Sequence, residues 1–366
     1  MPLPALRLAR RAALLVPLGL LAACEIPSEA PILQQTWVVP SDSLTVSVAQ
    51  ILPTNVAVNG AGTAFVVTMP AGSNFSTTLG AICGQPACQS GATVSAPVPA
   101  FTSPPGLLGT TINMPAGVNA ATVAGGSLSV SVANNLGFDP LRPNGAVAPY
   151  GTVSVTVTSG ATTSTTNFGG AAQAMPTGQV TALSVPLPLG VYTGSITVGV
   201  SATVPAGGTA SLNSANTFLV TAAVVNLSVS QATVAVVADP VNTTPTAFDL
   251  EGVDFGDIVE SGGLILDVVN PFTASVALTV TISAPAQNGA PAVSIAKPLA
   301  IPATPTSSTT ISLNKAELQS VLGKTNVTMA VAGTANGTGA GNTVTVQPSQ
   351  KFTIRSKVLL VLNVGA

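Results

Sequence analysis

The chain has 366 residues, of which 10 are basic, 12 acidic and none histidine, with 46% hydrophobic content. So few charges exclude a nucleic-acid binder, which needs clustered Lys and Arg to displace counterions from phosphates. The missing histidine excludes Ser-His-Asp and Cys-His sites and removes the most used general base. High apolar content with little charge also excludes a disordered chain.

At the start, Arg7, Arg10 and Arg11 precede an apolar stretch from Ala12 to Ala23. A basic start, a short hydrophobic run and then small residues form the layout of a secretory signal peptide. The run is too short for a spanning helix, which needs about 20 apolar residues. It ends in Leu21-Ala22-Ala23-Cys24, and this tetrapeptide resembles the lipobox of bacterial lipoproteins. The resemblance implies that residues 1–23 are removed and that Cys24 becomes the first residue, with a diacylglyceryl thioether and an acylated amino group. Several acyl chains anchor a protein stably where one chain holds it marginally, so the membrane becomes a partner through lipid. Glu25 stands where the family places Asp to retain a protein at the inner membrane. By that resemblance the chain belongs to the bacterial cell envelope, at the outer rather than the inner membrane. The other reading of Cys24 is a cysteine that happens to lie near an ordinary cleavage site.

Residues 24–44 read as a tether and first strand. Beyond them, β-branched residues recur at every second position between Gly, Pro, Asn and Ser breaks. The clearest strands are Leu128–Val132, Val153–Val157, Ile196–Val200 and Leu278–Ile282. Each carries one apolar and one largely hydroxyl-bearing face, the alternation of half-buried antiparallel sheets. The expected fold class is all-β. Uncharged Thr/Val strands of this kind also pair edge to edge, which makes self-association an expectation.

Cys83 and Cys88 flank Gly84-Gln85-Pro86-Ala87. An exported chain permits a disulfide here, worth about 2 kcal/mol for so small a loop. A metal site on the two thiolates would want further ligands, and there is no histidine to supply them. From Ser43 to Ala238 the only charges are Asp139 and Arg142, in a turn-rich loop where they could pair with each other.

Two parts of the chain read as copies of one unit. Val123, Gly126, Leu128, Val132 and Asn134 align with Val259, Gly262, Leu264, Val268 and Asn270. Further on, Ile196, Val198 and Val200 match Val327, Met329 and Val331, and Phe218, Val220 and Val224 match Phe352, Ile354 and Val358. The order is kept throughout. The expectation is two immunoglobulin-like sandwiches in tandem, an elaborated one over 45–236 and a second over 246–366, with a proline-bearing linker at Asp239–Pro245. The strand ending at Asn270-Pro271-Phe272 resembles the Asn-Pro step of late-embryogenesis-abundant-like β-sandwiches over a handful of residues, and no function follows from that.

One helix is expected, near 315–322. Asn314 is a good N-cap with Glu317 three positions on, Leu318, Val321 and Leu322 share a face, and Gly323 stops the run.

The candidate ligand set is Asp249, Glu251, Asp254, Asp257 and Glu260, five carboxylates in a short segment. They could offer the oxygens calcium prefers, although the spacing is not that of an EF-hand. The plainer reading is charge that guards an exposed edge or solubilises a surface. Ser294-Ile295-Ala296-Lys297 fits a Ser-x-x-Lys nucleophile pattern but lacks its companion motifs and reads as coincidence. Trp37, Tyr150 and Tyr192 read as core or corner residues.

The function expected is therefore non-enzymatic: a lipid-anchored envelope protein with a structural, adhesive or assembly role, whose partner is another envelope protein or a polysaccharide. Two rivals remain: a calcium-dependent binding module, and an enzyme acting on surface polysaccharide through paired carboxylates.

Overall fold

The structure is a computed structural model that describes residues 33–104, 108–247, 258–287 and 289–364. Strand makes up 60% of it and helix 6%, so the class is all-β.

In chain order the elements begin with β1 (Leu33–Ser47), β2 (Val56–Val58), β3 (Phe65–Val67), β4 (Ser73–Thr78), helix α1 (Leu79–Cys83), β5 (Val94–Pro97), β6 (Phe101–Thr102) and β7 (Leu108–Asn113). Next come β8 (Val118–Asn134), β9 (Thr152–Ser159), β10 (Thr162–Gly169), β11 (Gln179–Pro186), β12 (Gly190–Thr193), β13 (Ser195–Val204), β14 (Thr209–Leu212) and β15 (Thr217–Ala235). The chain continues through β16 (Asp239–Asn242), β17 (Thr246–Ala247), β18 (Val259–Val269), β19 (Ala274–Ala284), β20 (Val293–Ile301) and β21 (Thr306–Leu313). It ends with helix α2 (Lys315–Val321), β22 (Thr328–Gly337), β23 (Thr343–Val346) and β24 (Lys351–Val364).

The internal repeat is visible in the strand pairing. One unit has the orders β11-β8-β15 and β10-β9-β13, and the other has β21-β18-β24 and β20-β19-β22. Position by position, these are the same topology. The register repeats as well: Leu128 pairs with Val224 as Leu264 pairs with Val358, and Val132 with Val220 as Val268 with Ile354. These are the residues that align in the sequence, so the alignment reflects structure as well as period-2 patterning.

The two copies are not strung end to end. β1 pairs with β24 from Leu33 opposite Val364 to Ser47 opposite Lys351, with a register shift between Pro40 and Ser43. β16 and β17 pair with β22. Residues 33–47 thus join the sheet of the C-terminal unit, and Asp239–Asn242, the first part of the stretch expected as a linker, is strand. The unit built from residues 48–236 is inserted between the first strand of the outer unit and the rest of it. Period and composition could not show this, because which strand lies beside β24 is a long-range choice. β23, which lies in sequence between β22 and β24, leaves the outer unit to pair with the end of β15, Ala232 opposite Val346. That ladder ties the two units together.

Alternation explains the core. β9 buries Val153, Val155 and Val157 and points Thr152, Ser154, Thr156 and Thr158 the other way; β19 buries every second residue from Ala274 to Ala284. In the outer unit, Val46 and Phe352 of one sheet face Val241, Val276 and Ala335 of the other across an apolar interior.

Two buried asparagines mark equivalent corners. Asn134, 0% exposed, donates to the carbonyls of Phe138 (2.8 Å) and Met175 (2.6 Å), and its Oδ1 accepts from the Leu136 amide at 3.0 Å. Asn270, 1% exposed, donates to the carbonyls of Ala274 (2.9 Å) and Pro302 (3.1 Å) and accepts from the Phe272 amide at 3.1 Å. Each amide ties the end of its strand to the turn that follows and to a second loop, so that buried backbone groups are paired. The repeat's glycines are alike in purpose. At Gly126 (φ +138°) and at Gly262, a Cβ would press on neighbouring backbone, from Asn226 and Leu227 in the first case and Leu359 in the second.

Helix α2 bridges the two sheets of the outer unit, from β21 to β22. Its start is a complete capping box: the Asn314 side chain accepts from the Glu317 amide, and the Glu317 carboxylate accepts from the Asn314 amide, both at 2.9 Å. The other helix, α1, has no such signature. It is five residues long, buries Leu79, Ile82 and Cys83, and ends at Gly84 in the left-handed region; tertiary burial rather than local propensity holds it.

Candidate functional site

The disulfide joins Cys83 at the end of α1 to Cys88, and both sulfur-bearing residues are buried. It closes the turn that leads from α1 towards β5.

Cys24 lies outside the described residues, as do Asp249, Glu251, Asp254 and Asp257. Glu260 is described. It sits on β18 with an exposed side chain, 3.8 Å from the Lys315 ammonium, and accepts a hydrogen bond from the Asn363 amide at 3.4 Å. Its charge is answered by a cation. Among the described residues, no group of three His, Cys, Asp or Glu side chains is placed to hold a metal ion.

The outer face of the β18 sheet carries a charged groove of about 520 Å³, lined by Asp267, Val268, Val269, Thr306, Ser307, Ser308, Arg355 and Lys357. Antiparallel register builds it. Asp267 lies opposite Ser308 on one side and Arg355 on the other, and Lys357 follows two residues after Arg355 on the same face. The Lys357 ammonium donates to Asp267 Oδ2 at 2.6 Å and the Ser308 hydroxyl to Oδ1 at 2.8 Å. The hydrogen bond from Lys357, then that from Ser308, holds the Asp267 carboxyl below the usual carboxylate range. Sequence reading did not single this cluster out. Arg355 and Lys357 at alternate positions were the only local signal, and Asp267 joins them through a strand pairing across the unit.

The remaining candidates separate. Asp139 and Arg142 do not form an ion pair: the Asp139 carboxylate accepts from the Leu141 and Arg142 amides and from the Met175 amide, while the Arg142 guanidinium donates to the Ala171 carbonyl. Both side chains hold loops in place. Ser294 and Lys297 lie three apart on β20, so they point to opposite faces and share no chemistry. Lys297 instead meets Glu317 of α2 at 2.7 Å. That contact, followed by the backbone hydrogen bond from Asn314, holds the Glu317 carboxyl below its ordinary value.

Tyr192 is buried, donates to the Pro188 carbonyl at 2.9 Å, and has its pKa pushed up to about 12 by burial. Tyr150 donates to the Ala146 carbonyl. Of the core and corner places expected for it, Trp37 does not take the core one: it lies on β1, at the end of its sheet, and is 48% exposed.

Two extended surfaces stand out. On the outer face of the sheet built on β9, Thr163, Thr158, Thr197 and Thr111 form one row across four strands, with Thr165, Thr156, Gly199 and Gly109 in the next. Hydroxyl contacts at 2.9 Å (Thr156 with Thr165) and 3.2 Å (Thr158 with Thr163) fix the side chains. At the far end of the β1–β24 ladder, Leu33, Trp37, Val38, Ile258 and Val364 are exposed hydrophobics near one another in register.

No helix of the described residues is long and apolar enough to cross a membrane. No protein-family model matches the chain. No curated protein matches it either. Among solved structures, the chain is similar to a candidate secreted protein from Parabacteroides distasonis, with 12% identity, 89% of this chain and 99% of that one covered, and a TM-score of 0.30. An allantoicase structure aligns at 12% identity over 78% of this chain and 93% of its own, with a TM-score of 0.13. Neither likeness carries a function across.

Proposed function

We propose that the chain is a lipid-anchored, non-enzymatic protein of the bacterial cell envelope with a structural, adhesive or assembly role. The observation that carries this reading is Leu21-Ala22-Ala23-Cys24 at the end of a short apolar run preceded by three arginines. A buried disulfide supports it, because such bonds persist in oxidising compartments. So does the threonine face of the β9 sheet, which offers hydroxyls without charge to an uncharged partner such as a polysaccharide or a second envelope protein. Glu25 favours the outer membrane.

The test is metabolic labelling and fractionation. Radiolabelled palmitate enters the wild-type protein, and Cys24→Ala both loses the label and leaves the membrane fraction. A protein that takes up no label and fractionates unchanged as Cys24→Ala overturns the reading.

A further inference from the structure

We propose that the tip of the β1–β24 ladder, formed by Leu33, Trp37, Val38, Ile258 and Val364, docks on the bilayer that holds the lipidated N-terminus. The inference rests on the lipid anchor proposed above and adds a second contact to it.

Leu33 is 57% exposed, Trp37 48% and Val38 51%, on a strand whose first seven residues carry no charge. Trp37 shares the face of Leu33, while Val38 points the other way, so the edge is apolar on both sides. Register adds two more residues. Val364 lies opposite Leu33, and Ile258 directly precedes Val259, which lies opposite Leu362. This gathers apolar surface at one end of the molecule, where isolated exposed hydrophobics would otherwise need no explanation.

The position of the tether supplies the occupant. Leu33 is nine residues beyond Cys24, and nine extended residues reach on the order of 30 Å at most. An acylated Cys24 therefore keeps this end of the molecule within that distance of the membrane. Tethering turns a weak contact into an intramolecular one, with an effective concentration on the order of millimolar. A tryptophan with a polar indole N–H and flanking aliphatics suits the headgroup boundary. Among the described residues β1 ends its sheet, and a sheet edge rests at that boundary rather than entering the hydrocarbon. Among the described residues, Glu260 and Lys315 lie near the tip and answer each other at 3.8 Å. With those two charges balanced, the fitting surface is one of neutral headgroups.

Trp37 is the chain's one tryptophan, so its fluorescence reads this patch alone. The experiment places the full-length lipidated protein on phosphatidylcholine vesicles, with and without brominated acyl chains, beside a soluble Cys24→Ser protein. Expected are co-flotation, quenching of Trp37 by brominated lipid, and less quenching by aqueous iodide than in the soluble form. Leu33→Asn and Val38→Asn, both at exposed positions, keep flotation and each lower the docked-to-undocked ratio about fivefold. A protein that floats while Trp37 stays as open to iodide as in the Cys24→Ser form overturns the docking and leaves the anchor standing. Shielding from iodide without quenching by brominated lipid also overturns it, in favour of a second copy or another part of the chain as the cover. Failure to float removes the anchor and the docking together.

Discussion

Replacing Asn270 by alanine removes three hydrogen bonds at a position 1% exposed. The Phe272 amide is left without its partner, which costs about 1–3 kcal/mol for a buried donor. The carbonyls of Ala274 and Pro302 each lose one acceptor contact, adding about 1 kcal/mol apiece at most, since a carbonyl has a second lone pair. The expected loss is about 3 kcal/mol, read as a lower urea midpoint at unchanged m-value. Trp37 fluorescence follows the transition, because Trp37 pairs with Leu360 in the same unit. Asn270→Asp sharpens the test. It puts a carboxylate oxygen where the amide donated, facing two carbonyls, so its folded-state pKa lies above the ordinary value. That variant is least stable at neutral pH and recovers as pH falls and the carboxyl becomes a donor again. Asn134→Ala should cost a similar amount, as its bonds repeat those of Asn270. An Asn270→Asp protein as stable as wild type at pH 7, with no gain on acidification, would refute the reasoning.

The nested arrangement makes β1 part of the outer unit's core, so Leu44→Ala, at a buried position, costs about 3 kcal/mol; a change within error in the Trp37-detected transition would contradict it. Reducing the Cys83–Cys88 disulfide lowers stability by about 2 kcal/mol, measured as a fall of a few degrees in the melting temperature with dithiothreitol. Glu317 is held below its ordinary pKa by Lys297 and the Asn314 amide. Its contribution is therefore full above the unfolded value of about 4.3 and is lost as pH falls through the lower folded value. Glu317→Gln should flatten that part of the stability profile, and urea midpoints across acidic pH check it.

Fold class was legible because alternation is local: Val153, Val155 and Val157 announce a half-buried strand without any knowledge of its partners. The helix at 315–321 was legible for the same reason, since the capping box of Asn314 and Glu317 is written within four residues. The repeat could be read because Asn134 and Asn270, with the glycines upstream, do the same structural work in each copy. Nesting was not legible. Nothing in Leu33–Ser47 says that its neighbour is the last strand of the chain rather than the next one. The Asp267, Ser308, Arg355 and Lys357 cluster escaped for the same cause, being made by pairing across β18, β21 and β24. Trp37 read as core or corner because aromatic residues usually bury, and its place at the end of a sheet, which decides its exposure, is again a matter of long-range pairing. Of the candidate site residues, the disulfide pair needed only a short turn and an oxidising compartment, both visible in the sequence.

In the function we propose, a fatty thioether at Cys24 fixes this protein to a membrane. Intact mass of the protein extracted from the membrane fraction tests it most directly. The expected polypeptide begins at Cys24 and is heavier by a diacylglyceryl group and an amide-linked acyl chain. A mass matching the unmodified chain, with a free thiol at Cys24 or with Met1 still in place, would contradict it.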